Sequence, residues 1–346
     1  MKTLIFGAGP IGSLYGARLH QAGHDVTLLD RGERLEDLRN HGVVLEDVIS
    51  GRREAHRVPV VDELGEDDDY DLIIVAMRKN QAVKILGTLA ANRRAHTVLF
   101  LMNNPAGPDE LVDVLGADRV MMGFPTSGGF FEGHRVRYVD PRRSPIPVGE
   151  VDGRVTERTR QVAALLESMP DKSVQIRTDM DAWLVTHLTA LMANLGVYAA
   201  GLDGQRFADT RDAVVLSVRA QREALAAQRG AGIPIRPVCF RALAWIPEPA
   251  VVALLRRVAT TDLYETGIVG HARAARDEIA YLLDEFRQRV TSGGVATESI
   301  DLLADYVDGR TPPMAEGSRR LSMHWGGVIA VGAATAAAAA AIGYLR

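Results

Sequence analysis

The first hundred residues alternate between short apolar runs and longer stretches in which apolar residues recur every three or four positions. Thr3–Phe6 is a short apolar run that ends at a glycine, which is typical of a buried strand. Similar runs follow at residues 24–30, 71–77 and 97–102. Strands that alternate with helices predict a parallel sheet with right-handed crossovers. The intervening helices are predicted at residues 11–22, 33–40 and 81–91.

The second half of the chain has a different pattern. Two shorter strands, at residues 135–140 and 145–148, are predicted to close the first domain near Pro170. Beyond residue 178 the spacing is almost wholly helical, with the clearest helices at residues 179–200, 213–228, 272–290 and 297–307. The sequence therefore predicts a Rossmann-type, doubly wound α/β domain followed by an all-α domain and a C-terminal hydrophobic helix. The predicted boundaries are 1–170 for the dinucleotide-binding domain, 178–308 for the helical substrate or dimerisation domain, 309–320 for a linker and 321–346 for the hydrophobic helix.

The C-terminal segment is a candidate membrane anchor. Residues 321–345 contain no Asp, Glu, Lys or Arg. Trp325 and Tyr344 are 19 residues apart, about 28 Å along a helix, which is close to the thickness of the bilayer hydrocarbon. Aromatic residues at both ends suit the two membrane interfaces, and the preceding arginines would keep the catalytic domains in the cytoplasm. The alanine run at 336–341 favours the alternative, a soluble helix packed on the protein or on a second subunit.

Composition and charge narrow the class of protein. The chain has 346 residues, of which 47% are apolar and 24% charged, as expected for a globular protein of about two domains. A net charge of −4 without a block of like charges argues against a nucleic-acid binder. Cys239 is the sole cysteine, so an intramolecular disulfide and a cysteine-based zinc site are excluded, and no metal is predicted. The strand-like run directly after Met1 leaves no room for a signal peptide, so we expect a cytoplasmic location.

A glycine-rich segment carries the clearest chemistry. It is a G-x-G-x-x-G motif that follows a predicted strand and opens a predicted helix. Gly7 permits the tight turn, Gly9 lets the backbone approach a pyrophosphate, and Gly12 allows close packing of helix on strand. The helix N-terminus presents free N–H groups to the phosphates. The predicted phosphate loop is Gly7, Ala8, Gly9, Pro10, Ile11 and Gly12.

Charged residues after the second strand bear on the choice of cofactor. Asp30 lies 18 residues beyond Gly12, where an acid binds the ribose hydroxyls of NAD. Arg31 follows, with Arg34 nearby, and an arginine there pairs with the 2′-phosphate of NADP. The third interpretation is that these residues are solvated surface charges of the turn after the second strand. The residues alone leave these alternatives open.

At this point the sequence resembles the ketopantoate reductase (2-dehydropantoate 2-reductase) family. The matching segments are GAGPIGSLYGARLHQAGHDVTLLDRGERLEDLRNHGVVL at 7–45, VAMRKNQ at 75–81, FLMNNPAGPDEL at 100–111 and VGEVDG at 148–153. A Trp-containing helix at 179–200 and a DEI segment around Glu278 are also similar.

The resemblance implies an NADPH-dependent reduction of a keto acid, on a Rossmann domain plus a helical domain. It implies that Arg31 selects NADP, with NAD as the alternative, and that Arg78 lies near the cofactor phosphate, where the family usually has lysine. Asn103 is implied to contact the nicotinamide and the substrate, with Asn104 as the neighbouring alternative. Glu278 matches the family's C-terminal-domain glutamate. A small carbonyl substrate and a homodimer through the helical domain are further implications.

The sequence departs from the family where the catalytic lysine is expected. That position falls on Val185, or on Thr186 if the register slips by one, and neither can donate a proton as a lysine does. Thr189 and Ala193 replace two asparagines of the family pattern. A positioned acid typically contributes roughly 10²–10⁴-fold to the rate, so reduction should be slow unless another group has taken the role.

His187 is the titratable side chain next to the missing lysine on the same helix, and histidine can act as an acid near neutral pH. It lies about 200° around the helix from Val185, so a packing histidine is the alternative. Two functions therefore stay open: an NADP-dependent reductase with an altered acid, in which Asn103, His187 and Glu278 are catalytic, or a dinucleotide-binding protein that has lost turnover and acts as a sensor or a membrane-tethered interaction module. A dehydrogenase acting on another substrate class is a third hypothesis.

Overall fold

The computed structural model describes residues 1–141 and 144–325, and it divides into two compact units. The first unit comprises Met1–Leu188 together with Glu265–Arg289, and the second comprises Thr189–Tyr264 together with the described residues from Val290 onwards. This division by compactness differs from the predicted domains 1–170 and 178–308, because residues 265–289 group with the N-terminal part of the chain. The domain boundaries as such stay a prediction.

An eight-stranded sheet forms the centre of the first unit, in the order β12-β11-β8-β7-β6-β1-β2-β5. Neighbouring strands are parallel throughout, except that β11 runs antiparallel to β8. The predicted parallel sheet is thus confirmed. The strands of the chain are β1 Thr3–Phe6, β2 Val26–Leu29, β3 Val43–Asp47, β4 Arg53–His56, β5 Val60–Val61, β6 Leu72–Val75, β7 Thr97–Leu101, β8 Val120–Gly123, β9 Gly128–Glu132, β10 Arg135–Val139, β11 Ile146–Glu150 and β12 Val174–Ile176.

Both faces of this sheet are covered, which explains why its strands are apolar runs rather than alternating ones. Ile5 lies in one buried cluster, together with side chains of α1, the helix Pro10–Gln21. Leu4 and Phe6 point the other way, into a second buried cluster. Successive side chains of a strand point to opposite faces, so one tetrapeptide contributes to two cores.

A second, four-stranded sheet in the order β4-β3-β10-β9 lies against α1. Of its strands, only β10 corresponds to a predicted one. Arg53–His56 reads Arg-Glu-Ala-His, with its side chains exposed or half-buried. Such an edge strand carries no apolar run, so the hydrophobic pattern alone does not indicate it.

Two of the predicted helices are interrupted in the structure. The predicted helix at 81–91 is divided into two helices joined by a 3₁₀ turn at Val83–Ile85, and Gly270–Val290 is divided at Ala275. A π-helical turn at Glu265–Val269 precedes that pair. The helices are α2 Gly32–His41, α3 Lys79–Ala82, α4 Leu86–Ala91, α5 Asp109–Leu115, α6 Glu157–Glu167, α7 Met180–Met192, of which the part up to Leu188 belongs here, α13 Gly270–Ala274 and α14 Arg276–Val290.

The second unit is helical, as predicted. Its longest helix is α10, Arg211–Gly230, which packs against α15, Glu298–Val307, and α11, Glu248–Ala259. Val238–Ala244 forms a 3₁₀ helix before α11. The remaining helices are α8 Gly196–Ala199, α9 Gly204–Asp209 and α12 Asp262–Tyr264.

The segment after α15 lies on the second unit. Residues 309–320, predicted as a linker, are bound there: the Met314 N–H donates to Ala199 O at 2.7 Å, and the Ser318 hydroxyl donates to Asp212. Residues 321–325 are not helical, so the predicted hydrophobic helix does not begin at Leu321. The rest of that predicted helix, 326–346, lies outside the described residues. Among the described helices, Met180–Ala199 is long and apolar enough to cross a membrane, but most of it is buried, as in a core helix.

Candidate active site

The glycine loop between β1 and α1 is held by contacts that only glycine permits. At Gly12 a Cβ would lie 2.0 Å from Gly7 O, so any side chain there would collide with the backbone of the turn. Gly7 has φ of +95°, and a Cβ on it would lie 2.5 Å from Met77 Cγ, directly after β6. These two glycines are explained by the fold itself.

Gly9 differs from the other two. A Cβ at Gly9 would meet no protein atom within 4 Å, so packing gives no reason for glycine there. Gly9 is the N-cap of α1, and its helix begins with Pro10 and has no side-chain cap. The first N–H groups of that helix can therefore bind an anion. A pyrophosphate approaching this backbone accounts for the missing side chain, so the loop fits a dinucleotide.

The charged residues that follow β2 are arranged around the loop. Asp30 Oδ2 accepts the Ala8 N–H at 2.8 Å, which fixes the loop to the end of β2. Arg34 Nε donates to Ala8 O at 3.1 Å, and burial lowers its pKa. Arg31 is exposed and donates through Nε to Asp62 O at 3.1 Å. Arg34 thus stabilises the glycine loop, whereas Arg31 exposes its guanidinium group at the surface beside that loop.

The other candidate residues follow the carboxyl ends of parallel strands. Gly7 follows β1, Met77 closely follows β6, Asn103 follows β7 and Phe124 follows β8. Because parallel strands end at one edge of the sheet, these positions share that edge. In open α/β sheets ligands bind in the crevice outside this edge, at the point where the strand order reverses. Here that point lies between β1 and β6.

Glu278, on α14, is a buried carboxyl group at this edge. It is 2% exposed, and its Oε1 accepts the backbone N–H of Lys79 at 3.3 Å. Its Oε2 is buried and has no hydrogen-bond partner among the described residues. Burial raises the pKa of Glu278 to about 7, although the Lys79 N–H, the Arg78 guanidinium and the Asn103 side chain lower it. A carboxyl group with this pKa is about half protonated at neutral pH.

His271, on α13, lies beside that free oxygen. Its Nε2 is 3.6 Å from Glu278 Oε2, and its side chain is half-buried. Burial lowers the pKa of His271 to about 4, with the nearby Arg78 guanidinium acting in the same direction. His271 is therefore neutral at pH 7. His271 is not apparent from the sequence, because it lies in a helix with no motif, seven positions before Glu278.

His187 is held between two aromatic rings. Its ring centroid is 3.9 Å from that of Phe124 and 5.2 Å from that of Trp183, with which it stacks at 5°. Burial lowers the pKa of His187 to about 4, and the repulsion of His271 adds to this effect. A neutral imidazole in an aromatic stack carries no ready proton at pH 7, which weakens the case for His187 as the acid.

The position of the missing lysine is filled by a packed apolar side chain. Val185 is fully buried, and so is Thr186, whose hydroxyl donates to Ala182 O at 2.9 Å. Neither register of the family pattern therefore places a titratable group at this point of α7.

Arg78 and Lys79 tie the end of β6 to α13 and α14. Arg78 Nη1 donates to Asp277 Oδ1 at 3.2 Å, so this predicted cofactor residue has a partner in the protein. Lys79 is fully buried, and its Nζ lies 2.9 Å from Glu110 Oε2 and 3.7 Å from Glu285 Oε1. Nothing in the sequence distinguishes Lys79 beyond its place in the VAMRKNQ segment. Its ion pairs position the strand end that also holds Glu278.

The asparagine pair after β7 separates into two roles. Asn104 is 1% exposed and donates through Nδ2 to Gly107 O at 2.8 Å, which shapes the turn. Asn103 is half-buried and lies near the Glu278 carboxyl group. Of the two, Asn103 is therefore the one placed to meet a ligand.

The glycine loop at the end of β1, with Asp30 at the end of β2, is characteristic of a Rossmann-type α/β fold. Residues 3–153 match the sequence model of the family described as Ketopantoate reductase PanE/ApbA. A 2-dehydropantoate 2-reductase of Archaeoglobus fulgidus is 31% identical over 168 residues, which cover 48% of this chain and 52% of that protein. The curated relatives are matched over a quarter to about half of their own length. The similarity to the ketopantoate reductase family that the sequence predicts is thus confirmed for residues 3–153.

Solved structures share the fold over a longer part of the chain. A 2-dehydropantoate 2-reductase of Geobacter metallireducens has a TM-score of 0.72 at 18% identity, covering 90% of this chain and all of that one. D-mandelate dehydrogenase in complex with NADH and anilino(oxo)acetate has a TM-score of 0.72 at 19% identity, covering 90% of this chain and 98% of the other. At this identity the likeness supports the fold alone. It confirms the α/β domain followed by a helical region.

Proposed function

We propose that the protein is an NADP-dependent oxidoreductase that reduces a 2-keto acid or a related small carbonyl compound. The observation that carries the proposal is Glu278, a carboxyl group of raised pKa with a free buried oxygen, at the same sheet edge as the glycine loop. Perturbed titratable groups at such an edge are candidates for acid–base catalysis. Similarity to the ketopantoate reductase family makes a carbonyl group the expected target.

The glycine loop would hold the cofactor. The N–H groups at the start of α1 would bind the pyrophosphate, and Gly9 leaves room for its approach. When bound, the nicotinamide supplies hydride to the carbonyl carbon of the substrate. Arg31 would meet the 2′-phosphate of NADP with its surface guanidinium, which is why we favour NADP over NAD.

Asn103 and Glu278 would act on the carbonyl oxygen. Asn103 would donate a hydrogen bond to it, and protonated Glu278 would give its carboxyl proton as negative charge develops there. After each turnover the carboxylate would regain a proton from solvent, and the neutral His271 ring, whose Nε2 lies 3.6 Å from Glu278 Oε2, would relay it by donating from Nε2 while its Nδ1 accepts a proton from water. His187, neutral in its aromatic stack, would shape the site beside the substrate rather than donate the proton.

The first test is the rate of NADPH oxidation by the full chain with 2-dehydropantoate, with NADH in place of NADPH as the control. Turnover that prefers NADPH supports the proposal. NADPH binding without turnover of 2-dehydropantoate or a panel of 2-keto acids would contradict it. That outcome would favour the second candidate, a dinucleotide-binding protein that has lost turnover, which the fully buried Val185 at the lysine position supports.

We further propose that the catalytic part lies in the cytoplasm and that the hydrophobic segment within residues 321–345 tethers it to a membrane. The absence of Asp, Glu, Lys and Arg from this segment supports the proposal. Removal of residues 326–346 should move the protein from the membrane fraction of cells to the soluble fraction. Full-length protein found wholly in the soluble fraction would contradict the tether.

A further inference from the structure

The 3₁₀ helix Val238–Ala244, helix α11 and the turn between them expose several large apolar side chains on the second unit. Trp245 is 84% exposed, Leu254 62% and Val258 41%, and Val238 and Ile246 are exposed as well. Apolar side chains are normally scattered singly over a protein surface, whereas a contiguous group marks a site of interaction. We call the exposed residues of the stretch 238–258 the apolar face.

The charges on this face are mostly positive. Within residues 238–259 the sequence has three arginines and one acid, Glu248. Arg241 and Arg257 are exposed, whereas Arg256 is half-buried and donates through Nε to Ala208 O at 2.6 Å. Glu248 is 1% exposed and paired with Arg219, whose Nε lies 3.1 Å from its Oε2. The exposed charge of the stretch is therefore basic.

A cavity of about 430 Å³ opens at the edge of the face. Its walls are apolar side chains with arginines among them, and the Nε of Arg222 is buried without a partner among the described residues. Apolar walls with guanidinium groups suit a molecule that has both a hydrocarbon part and an anionic head. The walls include Arg222, Arg229, Arg241, Ile233, Phe240 and Trp245.

The segment that leads to the hydrophobic tail is fastened beside this face. Asp212 accepts the backbone N–H groups of Arg320 and Leu321 at 2.8 and 3.0 Å. Arg219 donates to Ser322 O at 2.6 Å, and Glu248 Oε1 accepts the His324 N–H at 3.0 Å. Because Glu248 follows Trp245 by three residues in the chain, His324 lies next to the apolar face.

From these features we infer that the apolar face rests on the surface of an anionic membrane, with Trp245 in the interface and the arginines near lipid headgroups. Tryptophan prefers the membrane interface, and each arginine near an anionic leaflet strengthens binding. Residues 320–324, which are held on the second unit, would direct the hydrophobic residues that follow them toward the same membrane. The hydrophobic tail and the apolar face would then contact one bilayer. This inference does not depend on the proposed reductase activity.

Cys239, the sole cysteine, provides a probe within the face, since it is exposed between Val238 and Phe240. The full chain is labelled there with an environment-sensitive fluorophore and floated with phosphatidylcholine vesicles, with or without phosphatidylglycerol. We expect the emission to shift to the blue, and the label to become protected from an aqueous quencher, with the anionic vesicles. A matched control carries Cys239→Ser and Ser50→Cys, which moves the label to an exposed turn of the first unit, and its emission should not change.

A charge reversal sharpens the test. Arg241→Glu should weaken the protection of the Cys239 label by at least about fivefold, whereas flotation through the tail persists. A label that stays accessible to the quencher while the chain floats would overturn the inference and leave the tail as the sole tether. A label that is already protected before lipid is added would also overturn it. In that case light scattering identifies what protects the label. A doubled mass indicates a second copy of the chain, and an unchanged mass indicates the tail.

Discussion

The phosphate loop and the acid side of the candidate site are assembled in opposite ways. The loop is one stretch of six residues, and the motif itself explains why each of its three fixed-spacing positions is glycine. The acid side draws Asn103, His187, His271 and Glu278 from four separate elements. Its chemistry depends on burial, which raises one pKa and lowers two others. The comparison teaches that a binding motif can be recognised from a short stretch of sequence. The acidity of a proton donor, in contrast, depends on how residues from separate elements pack around it.

The strongest way to break the comparison is to remove the proposed acid. Glu278→Gln keeps the shape of the side chain but removes its proton, so we expect kcat to fall by roughly 10²–10⁴-fold. Cofactor affinity should stay within about threefold, because the loop is a separate structure. Steady-state kinetics and NADPH fluorescence titration measure the two quantities. Asp284, an exposed carboxylate on the same helix, provides the control, and Asp284→Asn should leave kcat nearly unchanged. Equal losses in both variants would contradict the assignment of the acid.

The second prediction concerns stability rather than rate. The pKa of Glu278 is about 7 in the folded protein, above the ordinary carboxyl value of 4.5, so the folded state binds more protons than the unfolded state between these values. The contribution of Glu278 to the free energy of unfolding should therefore decrease as the pH rises from 4.5 through 7, by up to about 3 kcal/mol, which is the difference in pH dependence between the wild type and Glu278→Gln. Urea unfolding of the wild type and of Glu278→Gln across this range measures the effect. If both proteins show the same pH dependence, Glu278 is not the titrating group.

The loop glycines offer a matched pair on the other side of the comparison. Gly12→Ala forces a Cβ against Gly7 O and should destabilise the fold by about 1–3 kcal/mol or more. The Cβ that Gly9→Ala introduces meets no protein atom, so this variant should keep the melting temperature of the wild type. Its affinity for NADPH should fall by about ten- to a hundredfold. Calorimetry and NADPH titration separate the two effects. Undiminished NADPH binding by Gly9→Ala would show that the cofactor does not approach this backbone.

The smallest predicted effect is on cofactor choice. Arg31→Ala should weaken NADPH binding by about tenfold and leave NADH binding unchanged, since only NADPH carries the 2′-phosphate. Competition titrations with the two cofactors measure the ratio. Arg39, an exposed arginine paired with Asp62 at 3.6 Å, is the control, and Arg39→Ala should change neither affinity. A loss that is equal for both cofactors would mean that Arg31 supports the loop rather than the phosphate.

Much of the fold could be predicted from the sequence because its strands are buried on both faces. Thr3–Phe6 and Thr97–Leu101 are unbroken apolar runs, and the structure places strands there. The second sheet was largely missed because Arg53–His56 is a polar edge strand. The division at Ala275 was missed because residues 272–290 keep helical spacing across it.

The candidate site was predictable only in part, for the same physical reason. Gly7, Gly9 and Gly12 follow a motif whose spacing is fixed by backbone geometry. Glu278 was found through family resemblance, since nothing local indicates that its pKa is raised. His271 and the buried Lys79 were not found, because their significance comes from partners on other elements.

The most direct test of the central claim, that Glu278 has taken over the role of the lysine, is the dependence of kcat on pH in the full chain with NADPH and a substrate that turns over. We predict a constant kcat at low pH that falls as the pH rises through about 7, where Glu278 loses its proton. Glu278→Gln should lack this transition. A wild-type kcat that stays constant to about pH 9, well above the titration of this carboxyl group, would contradict the account.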